Sequence, residues 1–180
     1  MRTRDHVFQS ICLICFVFLF FAFSSLFTSA QAGDETAARA YIVKRAAELK
    51  WPCMLPDDFI KFLLSGKKIA FIDVRSELET AVWYPKSDKA MDTFVIPLQQ
   101  IPARLGDIHP EKYDYVVLTC PTGPRAAAAA VLARLMGYDN VYFFRGGNKA
   151  LGSITGTKFR KAAKKLLQEG KIKKVPEWME

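Results

Sequence analysis

The sequence predicts an α/β domain with a mainly parallel sheet of about five strands, flanked by helices on both faces. Short apolar runs without alternation, such as Ile69–Val74 and Tyr115–Thr119, are typical of strands buried on both faces of a parallel sheet. Stretches with a helical pattern lie between these runs. A chain of 180 residues, 51% of them hydrophobic, is long enough for one such core.

The order of these elements follows from the pattern of apolar runs and helix boundaries. Helix starts and stops are marked by residues such as Pro56 and Gly66, which favour the first helical position and the position after the last turn. The predicted strands are residues 69–74, 93–97, 115–119 and 141–144. Helices are predicted over residues 34–51, 56–65, 98–108 and 124–137. Alternation of strands and helices at these lengths favours a parallel sheet.

The first 32 residues have the composition of an export signal. Two arginines precede the uncharged, mostly apolar stretch Val7–Phe27, and small residues follow at Ala30 and Ala32. This order predicts a secretory signal peptide over residues 1–32, cleaved after Ala32. An uncleaved anchor is the alternative, because the apolar stretch could nearly span a bilayer. In both cases we expect the domain to be extracytoplasmic, and periplasmic in a bacterium.

The chain carries a net charge of +8, and its basic excess is concentrated near the end. The segment Thr157–Lys174 contains eight basic residues and a single acidic one, Glu169, and it is predicted to be a basic helix over residues 157–174. A solvated helix face and a surface that attracts anions or an acidic partner both remain open. The export signal argues against a nucleic-acid partner, and membrane contact is expected only if the leader stays uncleaved.

A cysteine stands at the junction of a predicted strand and a predicted helix, in the stretch "LTCPTGPRAAAAAV". Pro124 suits the first helical position, so the Cys120 sulfur is expected near unpaired backbone N–H groups and the positive end of the helix dipole. Such an environment stabilises a thiolate, which is the nucleophilic form. Arg125 adds a permanent cation, and Gly123 allows the backbone to turn. The alternative is that Cys120 is a small buried hydrophobic residue.

Three motifs, in order along the chain, resemble those of a known family. "FIDVRSELE" is similar to a strand followed by Asp-x-Arg and an acidic residue. "CPTGPR" is similar to a Cys-x-x-Gly-x-Arg active loop, and "VYFFRGG" to the strand and Gly-Gly that close the domain. On these motifs the chain resembles the rhodanese-like domains, the single-domain sulfurtransferases, over a core of about residues 55–156. The domain itself is expected to span residues 33–180.

The resemblance implies that Cys120 takes a sulfane sulfur from a small anionic donor such as thiosulfate and passes the resulting persulfide sulfur to a nucleophilic acceptor. It implies no metal and no organic cofactor. Four residues separate Cys120 from Arg125, as in the narrower, sulfur-sized loops of the family, whereas phosphatase relatives have five. The implied site comprises the catalytic residues Cys120 and Arg125, the substrate-binding residues Pro121, Thr122, Gly123, Pro124 and Ala126, and the supporting residues Asp73 and Arg75.

The loop departs from the family pattern because Pro121 and Pro124 lack N–H groups, which removes two donors from the substrate cradle. Stabilisation of the persulfide is therefore expected to depend on Thr122, Gly123, Arg125 and Ala126.

Two other functions remain open. Cys53 could form a disulfide with Cys120, which would make the protein a thiol redox module. The domain could also be a non-catalytic module that binds a partner protein in the cell envelope.

Overall fold

The computed structural model describes residues 34–85, 91–154 and 156–172. The predicted leader, residues 1–32, and the last two positions of the predicted basic helix lie outside these ranges. The chain divides into two compact units, with the boundary between Ala47 and Glu48. Helix α1, residues 34–48, accounts for the described part of the first unit and extends one residue past the boundary. Within the described ranges, no helix combines the length and the apolar character needed to cross a membrane.

The second unit is built from alternating strands and helices. In chain order its elements are β1 (Cys53–Met54), α2 (Pro56–Leu64), β2 (Ile69–Asp73), α3 (Glu77–Val82), β3 (Asp92–Val95), α4 (Ile101–Arg104), β4 (Tyr115–Thr119), α5 (Pro124–Leu135), β5 (Val141–Phe144), α6 (Gly147–Gly152) and α7 (Gly156–Gln168). The five strands form one sheet in the order β1-β5-β4-β2-β3, and every neighbouring pair is parallel. The predicted α/β class with a parallel five-stranded sheet is confirmed.

The register of the sheet brings the ends of the central strands together. Asp73, the last residue of β2, lies opposite Thr119, the last residue of β4. On the other side of β4, Leu118 lies opposite Phe143 of β5. Because all strands run in one direction, the loops that follow β2, β4 and β5 leave from the same edge of the sheet. This is the edge at which parallel sheets hold their sites.

Helices cover both faces of the sheet, as predicted. On one face, α4 and α5 bury a cluster that includes Ile72, Val116 and the alanines of α5. On the other face, α2 and α6 pack over a second cluster that includes Phe71, Val117 and Phe144. Helix α7 lies against α2 through a third, smaller apolar cluster. The α5 helix can approach the sheet closely because the side chains that it buries are alanines.

Several elements differ from the sequence prediction. The helix expected over residues 98–108 is instead a short α-helix, α4, between two 3-10 turns, Leu98–Gln100 and Leu105–Ile108. The basic helix ends at Gln168 instead of residue 174, because Gly170, with φ of +66°, turns the backbone out of the helix. Strand β1 and helices α3 and α6 were not predicted, since segments of two to six residues carry little periodic signal.

The alanine face of α5 yields the first testable prediction. Ala130→Leu adds a branched side chain where no surface is exposed, so it should lower the free energy of unfolding by about 1–3 kcal/mol. Urea denaturation followed by circular dichroism measures this change. Ala128→Leu, at an exposed position of the same helix, is the matched control and should be nearly neutral. Equal stability of the two variants would contradict the proposed packing of α5.

Candidate active site

Cys120 directly follows the last residue of β4, and three residues, 121–123, separate it from α5. Gly123 caps α5 with φ of +115°, a conformation that side chains with a Cβ rarely adopt, and Pro124 is the first helical residue. The backbone N–H of Gly123 donates to the Cys120 Sγ at 3.1 Å. The Cys120 residue itself is only 1% exposed. The turn between β4 and α5 therefore holds a buried sulfur against the amino-terminal end of a helix.

The first turn of α6 fixes the backbone of the same loop. The N–H of Asn148 donates to the carbonyl oxygen of Cys120 at 2.8 Å, and the N–H of Lys149 donates to that of Pro121 at 3.1 Å. Gly147 packs so closely that a Cβ atom at this position would lie 2.1 Å from the Cys120 oxygen. In a trans peptide the N–H points opposite to the carbonyl, so the N–H of Thr122 is directed away from α6.

The side chain of Asn148 connects the ends of two strands. Its Oδ1 accepts a hydrogen bond from the Thr119 hydroxyl at 2.9 Å, and its Nδ2 donates to the Asp73 carboxylate at 3.1 Å. The carboxylate can only accept, so the orientation of the amide follows from its partners. Sequence reasoning missed Asn148, because a single asparagine after Gly-Gly carries no recognisable signal. It lies behind the Cys120 loop and not in it.

Asp73 and Arg75, the predicted supporting pair, form a largely buried ion pair. Arg75 Nε donates to both carboxylate oxygens of Asp73, at 3.0 and 2.9 Å, and the Arg75 backbone N–H donates to one of them at 3.1 Å. Arg75 also donates to the Trp83 carbonyl, beyond the end of α3. Through Asn148, this pair is linked to the loop that carries Cys120.

Arg125, the predicted catalytic cation, is paired with a residue that was not predicted. Its Nη1 and Nη2 donate to the two carboxylate oxygens of Glu79 in α3, each at 2.8 Å. Glu79 also closes a capping box with Ser76 at the start of α3. Arg125 and Ser76 together lower the pKa of Glu79 to about 2. The sequence predicted that Arg125 would face the sulfur or an anionic substrate, whereas the structure pairs it with the Glu79 carboxylate of α3.

Glu79 and Cys120 both influence the pKa of the Arg125 guanidinium group. The pKa of Arg125 is raised above its ordinary value, chiefly by the hydrogen bonds with Glu79, with a smaller contribution from Cys120. The geometric partner of Arg125 is thus Glu79, and Cys120 adds only a smaller electrostatic contribution. The one available signal for Glu79 was its place in "RSELE", where an acidic residue follows Asp-x-Arg.

The remaining predicted cradle residues surround Cys120 to different extents. Gly123 and Ala126 are buried, and Ala126 belongs to the apolar cluster under α5. Pro121 is half-buried, whereas Thr122 and Pro124 are exposed. The structure thus brings the predicted loop residues into one turn, with Thr122 and Pro124 on its outer side.

A sequence model of the rhodanese-like domain family matches residues 55–153, which is more than half of the chain. The chain belongs to the rhodanese-like domain family. Among solved structures, the human single-domain sulfurtransferase TSTD1 is similar at 22% identity, with a TM-score of 0.46, over 58% of this chain and 97% of that one. A rhodanese-related protein from Thermoplasma volcanium is similar at 19% identity, with a TM-score of 0.43, over 56% and 89%. A search of the curated proteins finds no match.

The second cysteine of the rhodanese-like domain lies away from the first. Cys53 of β1 lies opposite Phe143 of β5, and Phe143 lies opposite Leu118 of β4. Two strand spacings, about 10 Å, therefore separate Cys53 from the strand that leads to Cys120. A disulfide needs Cα atoms within about 7 Å, and both cysteines are free. A direct disulfide between Cys53 and Cys120, which the sequence left open, therefore does not fit the strand order of this fold. Burial raises the pKa of the Cys53 thiol, and Arg145 partly offsets this.

The basic helix of the rhodanese-like domain is not part of the Cys120 site. Ala163 and Leu166 pack α7 against α2, and several lysines of α7 line a groove of about 460 Å³ between the two helices. None of the residues lining this groove belongs to the Cys120 loop. In the part of the chain that the structure describes, no group of three or more histidine, cysteine or acidic side chains could hold a metal ion.

The close approach of Gly147 to the loop yields the second prediction. Gly147→Ala introduces a Cβ atom at 2.1 Å from the Cys120 oxygen and at a φ of +58°, so it should lower the free energy of unfolding by more than about 2 kcal/mol. Gly152→Ala in the same helix meets no atom within 4 Å and should be neutral or slightly stabilising. Urea denaturation of both variants distinguishes them, and a Gly147→Ala protein as stable as Gly152→Ala would refute the contact.

The Glu79–Arg125 pair yields a prediction about pH. Because the pKa of Glu79 falls from its ordinary 4.5 to about 2 in the folded protein, the pair stabilises the fold above pH 4.5 and loses this contribution as the pH drops toward 2. The difference in melting temperature between the wild type and Glu79→Gln should therefore be constant from pH 7 to 5 and should shrink below pH 4.5. Glu77→Gln in the same helix controls for net charge. A difference that persists unchanged at pH 2 would show that the pair is not responsible.

Proposed function

We propose that the protein is an exported sulfurtransferase that carries a sulfane sulfur as a persulfide on Cys120. The observation that carries this proposal is the Cys120 sulfur itself, which accepts the Gly123 N–H at the start of α5 and has the Arg125 guanidinium within its electrostatic reach. A backbone donor, a helix N-terminus and a nearby cation are the surroundings in which proteins place nucleophilic cysteines. Membership of the rhodanese-like family adds independent support.

The reaction consists of two displacements. In the first, the Cys120 thiolate attacks the outer sulfur of a donor such as thiosulfate. A sulfur–sulfur bond forms on Cys120, the sulfur–sulfur bond of the donor breaks, and sulfite leaves with the electron pair. In the second, a thiophilic acceptor attacks the outer sulfur of the persulfide and the Cys120 thiolate is restored. Two half-reactions on one nucleophile produce ping-pong kinetics.

The burial of Cys120 limits the shape of the donor. With 1% of the residue exposed, the thiol can be reached only by a sulfur atom that projects from the rest of its molecule. The terminal sulfur of thiosulfate and the outer sulfur of a persulfide both have this form. The N–H groups of Thr122, Gly123, Arg125 and Ala126 are the backbone donors left for the transferred sulfur, since Pro121 and Pro124 have none.

We further propose that the domain acts in the periplasm after removal of residues 1–32, and that its acceptor is a small nucleophile or a protein of the cell envelope. The non-catalytic binding module is the second candidate. The exposed lysines and arginine of α7 would suit an acidic partner for such a module. Uptake of sulfur by Cys120 discriminates between these two functions.

Intact mass spectrometry gives the fourth prediction. The purified, reduced protein incubated with excess thiosulfate should gain the mass of one sulfur atom, because the Cys120 thiolate retains the transferred sulfur, and cyanide should remove it. Cys120→Ser should gain nothing, whereas Cys53→Ser, which alters the other described cysteine, should behave as the wild type. A folded wild-type protein that gains no sulfur from thiosulfate or from an organic persulfide would exclude this function and favour the binding module.

A further inference from the structure

The cation of the active loop is already neutralised within the protein. Both terminal nitrogens of Arg125 donate to the Glu79 carboxylate at 2.8 Å in a bidentate arrangement, which is the strongest geometry that this pair can adopt. An anionic donor that approaches the Arg125 guanidinium group must compete for it with the Glu79 carboxylate of the same domain. Glu79 is held in place by its capping box with Ser76, so its position does not depend on Arg125 alone.

Among the described residues, helix α3 offers no compensating charge on this side of the site. Helix α3 contains Glu77 and Glu79 but no basic residue. Leu78 and Val82, which are 83% and 88% exposed, lie on the outward face of this helix and carry no charge. Helix α3 therefore brings negative charge and no positive charge to this side of the site, which disfavours a divalent anion.

The backbone donors of the loop are limited to the N–H groups of Thr122, Gly123, Arg125 and Ala126. Its two prolines have no N–H, and the Gly123 N–H is directed at the Cys120 sulfur. Lys149 belongs to α6, which contacts the loop from the other side. Its positive charge is the same in the wild type and in variants of Glu79.

We propose that Glu79 selects the sulfur donor by charge, and that the site favours an organic persulfide of low negative charge over the doubly charged thiosulfate. This inference rests on the proposed sulfur transfer. In the favoured reaction the Cys120 thiolate attacks the outer sulfur of R–S–S–H. The new bond makes the Cys120 persulfide, the donor's sulfur–sulfur bond breaks, and the thiolate R–S⁻ leaves with the electron pair.

The test compares two donors on three forms of the full chain. Thiosulfate and 2-hydroxyethyl persulfide each react with the wild type, Glu79→Gln and Glu77→Gln, and the second-order rate constant for sulfur uptake is measured by intact mass. Glutamine at position 79 keeps the capping box and one acceptor for Arg125 but removes the charge. Glu77→Gln removes the same charge from an exposed position of the same helix. Melting temperatures establish that each variant is folded, and Glu79→Ala replaces Glu79→Gln should the latter not fold.

The expected result is a rise of about tenfold in the rate constant for thiosulfate in Glu79→Gln, with a rise of no more than about threefold for the persulfide, because removing one negative charge favours the dianion more. The thiosulfate effect should shrink in 1 M salt, which a purely structural role would not produce. Glu77→Gln should change neither rate constant by more than about twofold.

Equal changes for the two donors, or a slower reaction with thiosulfate, would overturn the role of Glu79 while leaving sulfur transfer intact. Absence of sulfur uptake from both donors in the wild type would instead overturn the proposed function, and this inference with it.

Discussion

The contact between Gly147 and the Cys120 carbonyl is the constraint on which the site depends. It requires glycine, because any Cβ atom would overlap the loop. It also brings Asn148 to the point where its N–H holds the Cys120 oxygen and its amide joins Thr119 to Asp73. The loop is thereby held from behind by the first turn of α6, which also joins the ends of β2 and β4. The Cys120 sulfur lies on the helix side of the loop, where the Gly123 N–H meets it.

Charge near the sulfur is organised in pairs. Arg75 is paired with Asp73 and Arg125 with Glu79, so neither arginine brings an uncompensated positive charge to the site. The chain as a whole has a net charge of +8, but much of the excess lies on α7, away from Cys120. Overall charge is thus a poor guide to the local field at the nucleophile. Position-specific pairing, and not composition, sets the charge around the Cys120 loop.

Much of the fold could be predicted from sequence because its long elements carry strong patterns. The strands β2 and β4 are uninterrupted apolar runs, and α5 follows a proline at its first position. Short elements were missed for the opposite reason. Helix α3 lies inside a polar passage, and its outward face is apolar while Glu79 and Thr80 face the domain. Periodicity cannot identify a six-residue helix whose amphipathic pattern is reversed.

The sequence by itself determined the α/β class, the place of a cysteine between a strand and a helix, and the motifs of the rhodanese-like family. Only the tertiary structure decided which residues meet there. Glu79 and Arg125 are 46 positions apart, and Asp73 and Asn148 are 75 apart. Strand order separates Cys53 from Cys120 and brings β2 beside β4. The physical reason is that parallel strands joined by crossovers gather their carboxyl ends at one edge, in an order that local sequence does not encode.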